Sequence, residues 1–216
     1  MKSTVQPDLQ SLRIDYAKGE LLEADVSADA MEQFARWFTD ARQNRPGEPN
    51  AMTLATADAL GRPSARVVLL KDFGPRGFTF FGNYDSRKGH ELSTNPQAAL
   101  VFHWAVLERQ VRIEGRIEKV TRAESKAYYD IRPRNARVGA HASEQSRVVE
   151  SREALDKRFA ELDATLPQDV PLPEQWGGWR LVPTSIEFWQ GRPSRLHDRL
   201  LYTRVENNWK IERLCP

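Results

Sequence analysis

Apolar positions along the chain follow two regimes that change over near residue 50. Before it, Leu9, Leu12, Ile14 and Tyr16 make a short, ragged stripe. Residues 29–42 then place Met31, Phe34, Ala35, Trp37 and Phe38 on one side, as an amphipathic helix requires. The first 45 residues are therefore predicted to be helical and peripheral, with Asn44-Arg45-Pro46-Gly47-Glu48-Pro49 as the break. After it the pattern is that of strands: 51–56, then 64–71 with the run Val67-Val68-Leu69-Leu70, then 78–81, with turns at 58–63 and 72–77. Ser86 caps a short helix to Thr94, which Asn95-Pro96 ends. Two long neighbouring strands come next, 98–106 and 109–120. In the second, Val111, Ile113, Gly115 and Ile117 alternate with Arg112, Glu114, Arg116 and Glu118, one face apolar and the other charged. Helices are predicted from Thr121 to Ile131 and over 151–166, followed by a proline-rich connector. Three last strands, 179–183, 186–190 and 200–209, complete the chain, with a turn at Asn207-Asn208.

Five or six consecutive strands on short turns, without βαβ alternation, predict a mainly β fold: an antiparallel sheet closed into a barrel and flanked by helices. The 216 residues suit a single domain, with 1–45 as an arm and 46–216 as the barrel with inserted helices. The 32 basic residues nearly cancel the 30 acidic ones, leaving +2, which excludes a strongly basic nucleic-acid binder and an acidic tail. Arginine supplies 24 of the 32, which favours two-point contacts to phosphate or carboxylate. A single cysteine, Cys215, excludes a disulfide framework. No apolar run approaches the roughly 20 residues of a membrane span, and the N-terminus does not read as a signal peptide. A cytoplasmic protein is expected, with no membrane or nucleic-acid partner.

Five segments concentrate chemistry. Arg66-Val67-Val68-Leu69-Leu70-Lys71 reads as a central strand with a cation at each end. Ser86-Arg87-Lys88 sets two cations at a helix start, where free backbone N–H groups favour an anion. Gln110 at a strand entry offers a donor and an acceptor to a heterocycle edge. Tyr128 and Arg132, four apart, share a helix face and can either grip a small anion or simply stack. Glu187-Phe188-Trp189-Gln190-Gly191 leads into Arg195-Leu196-His197-Asp198-Arg199, where an extended backbone would align Arg195, His197 and Arg199. No serine sits in a nucleophile elbow, and His90, His103, His141 and His197 lack ligand spacing, so neither a hydrolytic triad nor a metal is expected. Glycine-rich nucleotide loops are absent as well. The combination fits a phosphorylated aromatic ligand held by side chains.

At these residues the chain resembles the pyridoxamine 5′-phosphate oxidase family of FMN-binding split barrels. The motifs that carry the resemblance run from Leu12 to Pro216: Arg66-Val-Val-Leu-Leu-Lys71, Ser86-Arg87-Lys88, Leu107-Glu-Arg-Gln110, Tyr128-x-x-x-Arg132-Pro-Arg, Gln145-Ser146, Trp176-Gly-Gly, Phe188-Trp-Gln-Gly191, Arg195-Leu-His-Asp-Arg199 and Arg213-Leu-Cys-Pro216. The resemblance implies a homodimer with FMN at the subunit interface. It assigns the flavin to Arg66, Val67, Val68, Leu69, Leu70, Lys71, Phe81, Gly82, Arg87 and Lys88, completed by Gln110, Gln145, Ser146, Trp189 and Arg199, partly from the second subunit. Substrate phosphate falls to Lys71, Tyr128 and Arg132, with Arg13 and Tyr16 as a lid, and Arg195 and His197 over the substrate ring as catalytic residues. The implied reaction oxidises pyridoxamine or pyridoxine 5′-phosphate to pyridoxal 5′-phosphate, with O2 as acceptor and H2O2 released. Other readings are a split-barrel flavin oxidoreductase for another substrate and a non-catalytic carrier of FMN or pyridoxal phosphate. Two positions depart from the family pattern: Ala136, where many relatives place a hydroxyl toward the substrate phosphate, and Ile14, where they often have a second basic residue.

Overall fold

Asp29 stops the chain's first helix from fraying, because its carboxylate accepts the N–H groups of Met31 and Glu32. That helix, α1 (Ala30–Gln43), is the only one before residue 45 among the residues that the computed structural model describes, which are 12, 14–44 and 47–216. Residues 14–29 are not helical. Several of their backbone groups bond to side chains of the sheet instead, as Leu21 N–H does to Asp198 at 3.0 Å. Nor is α1 peripheral. Phe34 is fully buried, with its ring centroid 4.9 Å from both Phe73 and Phe78 and 5.2 Å from Phe102, while Trp37 meets Phe188 edge-on at 5.2 Å. The helix is a wall of the core.

The strands are β1 (Ala51–Ala57), β2 (Pro63–Leu69), β3 (Asp72–Gly74), β4 (Gly77–Asn83), β5 (Gln97–Trp104), β6 (Arg109–Lys119), β7 (Trp176–Gln190), β8 (Asp198–Val205) and β9 (Asn208–Arg213). All their pairings are antiparallel, in the order β2-β1-β5-β6-β7-β4-β3, with β8 added to β7 and β9 to β8. The sheet curls, so that the chain leaving β2 enters the far edge at once, with Lys71 N–H donating to Thr79 C=O at 2.9 Å. Four helices flank it: α2 (Arg87–Thr94), α3 (Arg122–Asp130), α4 (Arg134–Ala142) and α5 (Arg152–Thr165). No described helix is long and apolar enough to cross a membrane.

Strand β7 shapes the split. One edge pairs with β6 from Trp179 to Gln190; the other pairs with β4 over its first part and with β8 from Ser185 to Gln190. Sequence pattern breaks this strand at Pro183, but the structure keeps it whole. A bulge opposite Glu114 and Gly115 absorbs the extra residue where Pro183 has no N–H to donate. Its start at Trp176-Gly177-Gly178 depends on the missing side chains: a Cβ on Gly178 would lie 2.7 Å from both Phe81 and Val120.

Three smaller differences have local causes. Residues 72–74, expected in a turn, form β3 because Phe73 pairs with Phe78 and packs on α1. Helix α4 has no side-chain cap and carries Gly139, so it leaves little signal in the sequence; Pro133 starts it. The last turn lies at Glu206-Asn207, one residue early, with Glu206 at positive φ.

Phe34→Ala should cost about 3–5 kcal/mol of unfolding free energy, measured by chemical denaturation. A loss below about 1 kcal/mol would show that α1 is an appendage after all.

Candidate functional site

Strands β2 and β4, the start of α2, and the segment from α3 through α4 to Ser146 enclose a cleft of about 830 Å³. Its polar end is built on α2. Ser86 caps this helix through Gly89 N–H, and Gly89 has no room for a side chain against the Tyr84 carbonyl. Lys88, buried in that first turn, donates from Nζ to Ser86 Oγ at 2.8 Å and to Gln145 Oε1 at 2.7 Å. Burial, and then the charge of Arg66, push its pKa down to about 8. Arg66 donates to Leu54 C=O at 3.2 Å and Thr56 Oγ1 at 2.5 Å, and also bonds Ser64 Oγ. The carboxylate behind these cations is Glu91, 5% exposed, which meets Arg66 at 3.3 Å and Arg87 at 2.8 Å. Burial alone would raise the Glu91 pKa. Hydrogen bonds from Ser64, Thr56 and Arg87, with the charge of Arg66, outweigh it and hold the group at about 2. Three cations beside a helix N-terminus make an anion site.

The other end is aromatic. Phe81 stacks on Tyr128 with centroids 4.2 Å apart and lies nearly parallel to Trp176 at 5.6 Å. Lys71 Nζ stands 5.8 Å from the Tyr128 centroid, and the Arg132 guanidinium 4.7 Å from that of Trp176. Arg132 is not on the helix with Tyr128 as its spacing predicts. It lies just beyond α3, its N–H on Tyr129 C=O at 3.1 Å, yet both side chains line the cleft. Its Nη1 is buried without a hydrogen-bond partner among the described residues, and burial lowers its pKa. Ala136, Gly139 and Ala140 line the facing wall.

Arg66, Val67, Val68, Leu69, Lys71, Phe81, Gly82, Arg87, Lys88, Gln145 and Ser146 therefore share one cleft with Tyr128, Arg132 and Ala136. Leu70 does not line it. Period-two alternation turns its side chain into the core, where it is 4% exposed. Arg13 lies outside the described residues.

The remaining candidates gather elsewhere. Register places Gln110 opposite Trp189 and Trp189 opposite Arg199, one row across β6, β7 and β8. Glu187, buried two residues back along β7, accepts Arg199 through both oxygens at 2.8 and 3.1 Å, and Arg112 at 3.2 Å. That pairing raises the Arg199 pKa. Arg195, His197 and Arg199 do not alternate along a strand, because a 3₁₀ turn at Pro193–Arg195 puts Ser194 and Arg195 at positive φ. Arg195 is exposed. The His197 ring instead packs 4.7 Å from Trp189 and 5.6 Å from Tyr16.

Three contributors carry no signal that singles them out in the sequence. Glu91 is legible only as a helical partner four residues after Arg87. Trp176 stands out only as part of its Trp-Gly-Gly motif, and Glu187 only as the head of the segment that runs to Gly191, with no role attached to it.

Residues 38–166 match the family model described as pyridoxamine 5′-phosphate oxidase, and residues 176–216 match the pyridoxine 5′-phosphate oxidase C-terminal dimerisation region. Proteins named pyridoxine/pyridoxamine 5′-phosphate oxidase from Cupriavidus pinatubonensis and Burkholderia cenocepacia are each 56% identical, over 96% of this chain and 99% of theirs. Among solved structures, PhzG from Burkholderia lata, in complex with tetrahydrophenazine-1-carboxylic acid, has a TM-score of 0.86 at 32% identity, covering 93% of this chain and 100% of that one. A pyridoxamine 5′-phosphate oxidase-related, FMN-binding protein from Nostoc punctiforme has a TM-score of 0.70 at 16% identity, over 88% and 100% of the two chains, and shares the fold.

Lys88 is charged below about pH 8, and a bound dianion favours that charged form. Affinity for a phosphate monoester should be full at about pH 7 and fall as pH rises through 8, by up to about tenfold per unit. Calorimetric titration between about pH 7 and about 9.5 measures it, and Lys88→Met should flatten the profile. A flat profile in the unmodified protein would remove Lys88 from the anion site.

Proposed function

Because the chain belongs to the pyridoxamine 5′-phosphate oxidase family, we propose that its cleft binds FMN beside pyridoxamine or pyridoxine 5′-phosphate and oxidises them to pyridoxal 5′-phosphate. The observation that carries this reading is the pair of anion sites in one cleft. One is Arg66, Arg87 and Lys88 at the α2 N-terminus; the other is Lys71, Tyr128 and Arg132. Two phosphorylated rings need two such sites. A cleft of about 830 Å³ is in the range that encloses ligands of this size.

The residues present fit a flavin phosphate. Lys88 has no carboxylate among its hydrogen-bond partners, and its lowered pKa marks a charge that an incoming anion stabilises. Arg66 and Arg87 are held in place by Glu91, so little side-chain freedom remains to be lost on binding. Val67 to Leu69 and Gln145-Ser146 line the same cleft and would hold the ring system. At the second site, the unmatched Nη1 of Arg132 would take a substrate phosphate oxygen together with Lys71 and the Tyr128 hydroxyl.

Bound FMN would supply the two-electron acceptor for a hydride from C4′, with O2 as the final oxidant and H2O2 as its product; the alcohol would become the aldehyde directly, and the amine an imine that water hydrolyses to the aldehyde and ammonia. The protein's part is orientation and electrostatics. Stacking Tyr128 on Phe81, and Arg132 on Trp176, fixes the phosphate grip and thereby the distance to C4′. Arg195 would polarise the group at C4′, with His197 positioning the ring and Tyr16 covering it.

Completing this site takes a second copy of the chain. Trp176 lines the cleft, while Trp189 lies thirteen residues further along β7, roughly 40 Å at about 3.3 Å per residue. None of Gln110, Trp189, Arg199, Arg195 and His197 lines the cleft of its own chain. In a homodimer the row of one copy closes the cleft of the other, which agrees with the dimerisation region matched over residues 176–216.

The deciding experiment mixes the FMN-loaded protein with either substrate without air and follows flavin absorbance. Bleaching is expected, then recovery with pyridoxal 5′-phosphate on admitting air. A flavin that bleaches with neither would overturn this reading in favour of another split-barrel activity or a carrier. Arg132→Leu should raise KM about 10- to 100-fold, the worth of a hydrogen bond to a charged group. Ala136→Ser should lower KM about 2- to 10-fold by restoring one neutral hydrogen bond. An unchanged KM in Arg132→Leu would exclude it from the phosphate site.

A further inference from the structure

Glu108 is a motif residue to which the proposed reaction gives no task, and its surroundings are unusual. It lies between the 3₁₀ turn Ala105–Leu107 and β6, in the left-handed region at φ 55°, and is 7% exposed. A buried carboxylate normally meets a cation. Here one oxygen, Oε2, accepts two consecutive backbone N–H groups of the arm, Ala17 at 2.9 Å and Lys18 at 3.0 Å. The Lys18 ammonium goes instead to Val106 C=O, 2.7 Å away.

The ground under this contact is equally specific. Glu108 C=O accepts Gly191 N–H at 2.8 Å, and the fully buried Gln190 donates to the carbonyls of Leu107 and Glu108. Tyr16, directly before the two bonded amides, sets its ring edge-on to Trp189 at 5.7 Å and packs on His197. Gly191 leaves the space for it, since a Cβ there would come within 2.8 Å of the Tyr16 ring. A second anchor lies at Leu21, whose N–H donates to Asp198 at 3.0 Å and whose C=O accepts from Arg213 at 2.8 Å.

We propose that Glu108 is a positioning residue: its carboxylate clamps the Ala17 and Lys18 amides and so seats Tyr16 on Trp189 and His197 before substrate arrives. The clamp acts on backbone, so on the arm's side it asks for no particular side chain at 17 or 18. The sequence requirement falls on the sheet, at Glu108 and Gly191. Lifting the arm would strip a buried carboxylate of both donors, which is why the seated arrangement persists. The effect on substrate rests on the reading in which Tyr16 and His197 meet the phosphorylated pyridine; the clamp itself does not.

The test uses the FMN-loaded protein and two readouts. Amide hydrogen exchange at Ala17 and Lys18 should speed up by about tenfold or more in Glu108→Ala and less in Glu108→Gln, which keeps an acceptor, with the core unchanged. KM for pyridoxine 5′-phosphate should rise by about tenfold, well beyond any fall in kcat, because seating is lost rather than chemistry. Gly191→Ala, which keeps the clamp but displaces Tyr16, should raise KM with exchange at 17 and 18 unchanged, and it serves where Glu108→Ala does not fold. Exchange at wild-type rates in Glu108→Ala and Glu108→Gln overturns the clamp. Faster exchange with wild-type KM, or a wild-type KM in Gly191→Ala, overturns the positioning role. Failure of the unmodified protein to bleach would sink the proposed reaction, while the exchange result would still decide the clamp.

Discussion

The ladder between β6 and β7 is the constraint on which the other arrangements depend. Eleven residues of β6 are paired along β7, and because that edge is fully used, β7 has only its other edge to share between β4 and β8. The bulge at Glu114 and Gly115 sits where the sharing changes over. Chemistry is thereby separated along one strand. The Trp176 end faces the cleft with Arg132 and Tyr128; the Trp189 end carries Gln110, Arg199, His197 and the arm. The two ends of this one strand therefore carry separate groups of side chains.

Buried carboxylates do the holding at both ends. Glu91, Glu187 and Glu108 are each 5–7% exposed, and each would be costly to bury without donors. Glu91 restrains Arg66 and Arg87, Glu187 restrains Arg199 and Arg112, and Glu108 restrains the backbone of the arm. The cations these acids hold are thereby placed in advance of any ligand. Lys88 and Arg132 differ. Neither has a carboxylate among its hydrogen-bond partners in the described residues, both have lowered pKa values with burial the first cause, and both line the cleft. They are the groups for which an incoming anion changes the energy most.

Much of this was legible in the chain. The alternation of Val111, Ile113, Gly115 and Ile117 marks β6 because a half-buried strand repeats every two residues, and Phe34 and Trp37 mark α1 by their helical period. Arg66, Arg87, Lys88, Tyr128 and Arg132 could be singled out because cations and aromatics at turns and helix ends are locally recognisable, and they do line one cleft. Where local signals conflict with tertiary ones, the pattern misleads. Pro183 reads as a strand end, but β7 continues because it bulges opposite Glu114 and Gly115, and 195–199 can read as extended, but the chain turns there.

The sequence by itself determined most of the elements, the antiparallel class and the inventory of chemical groups, since capping, periodicity and turn chemistry act between residues a few positions apart. Only the tertiary structure decided which of those groups share a site. It turned Leu70 into the core, aligned Gln110, Trp189 and Arg199 in one row, set Glu91 behind two arginines and hung the arm on Glu108. Those outcomes come from strand register and sheet curvature. Both are settled by pairings between residues far apart in the chain, for which no local pattern carries the information.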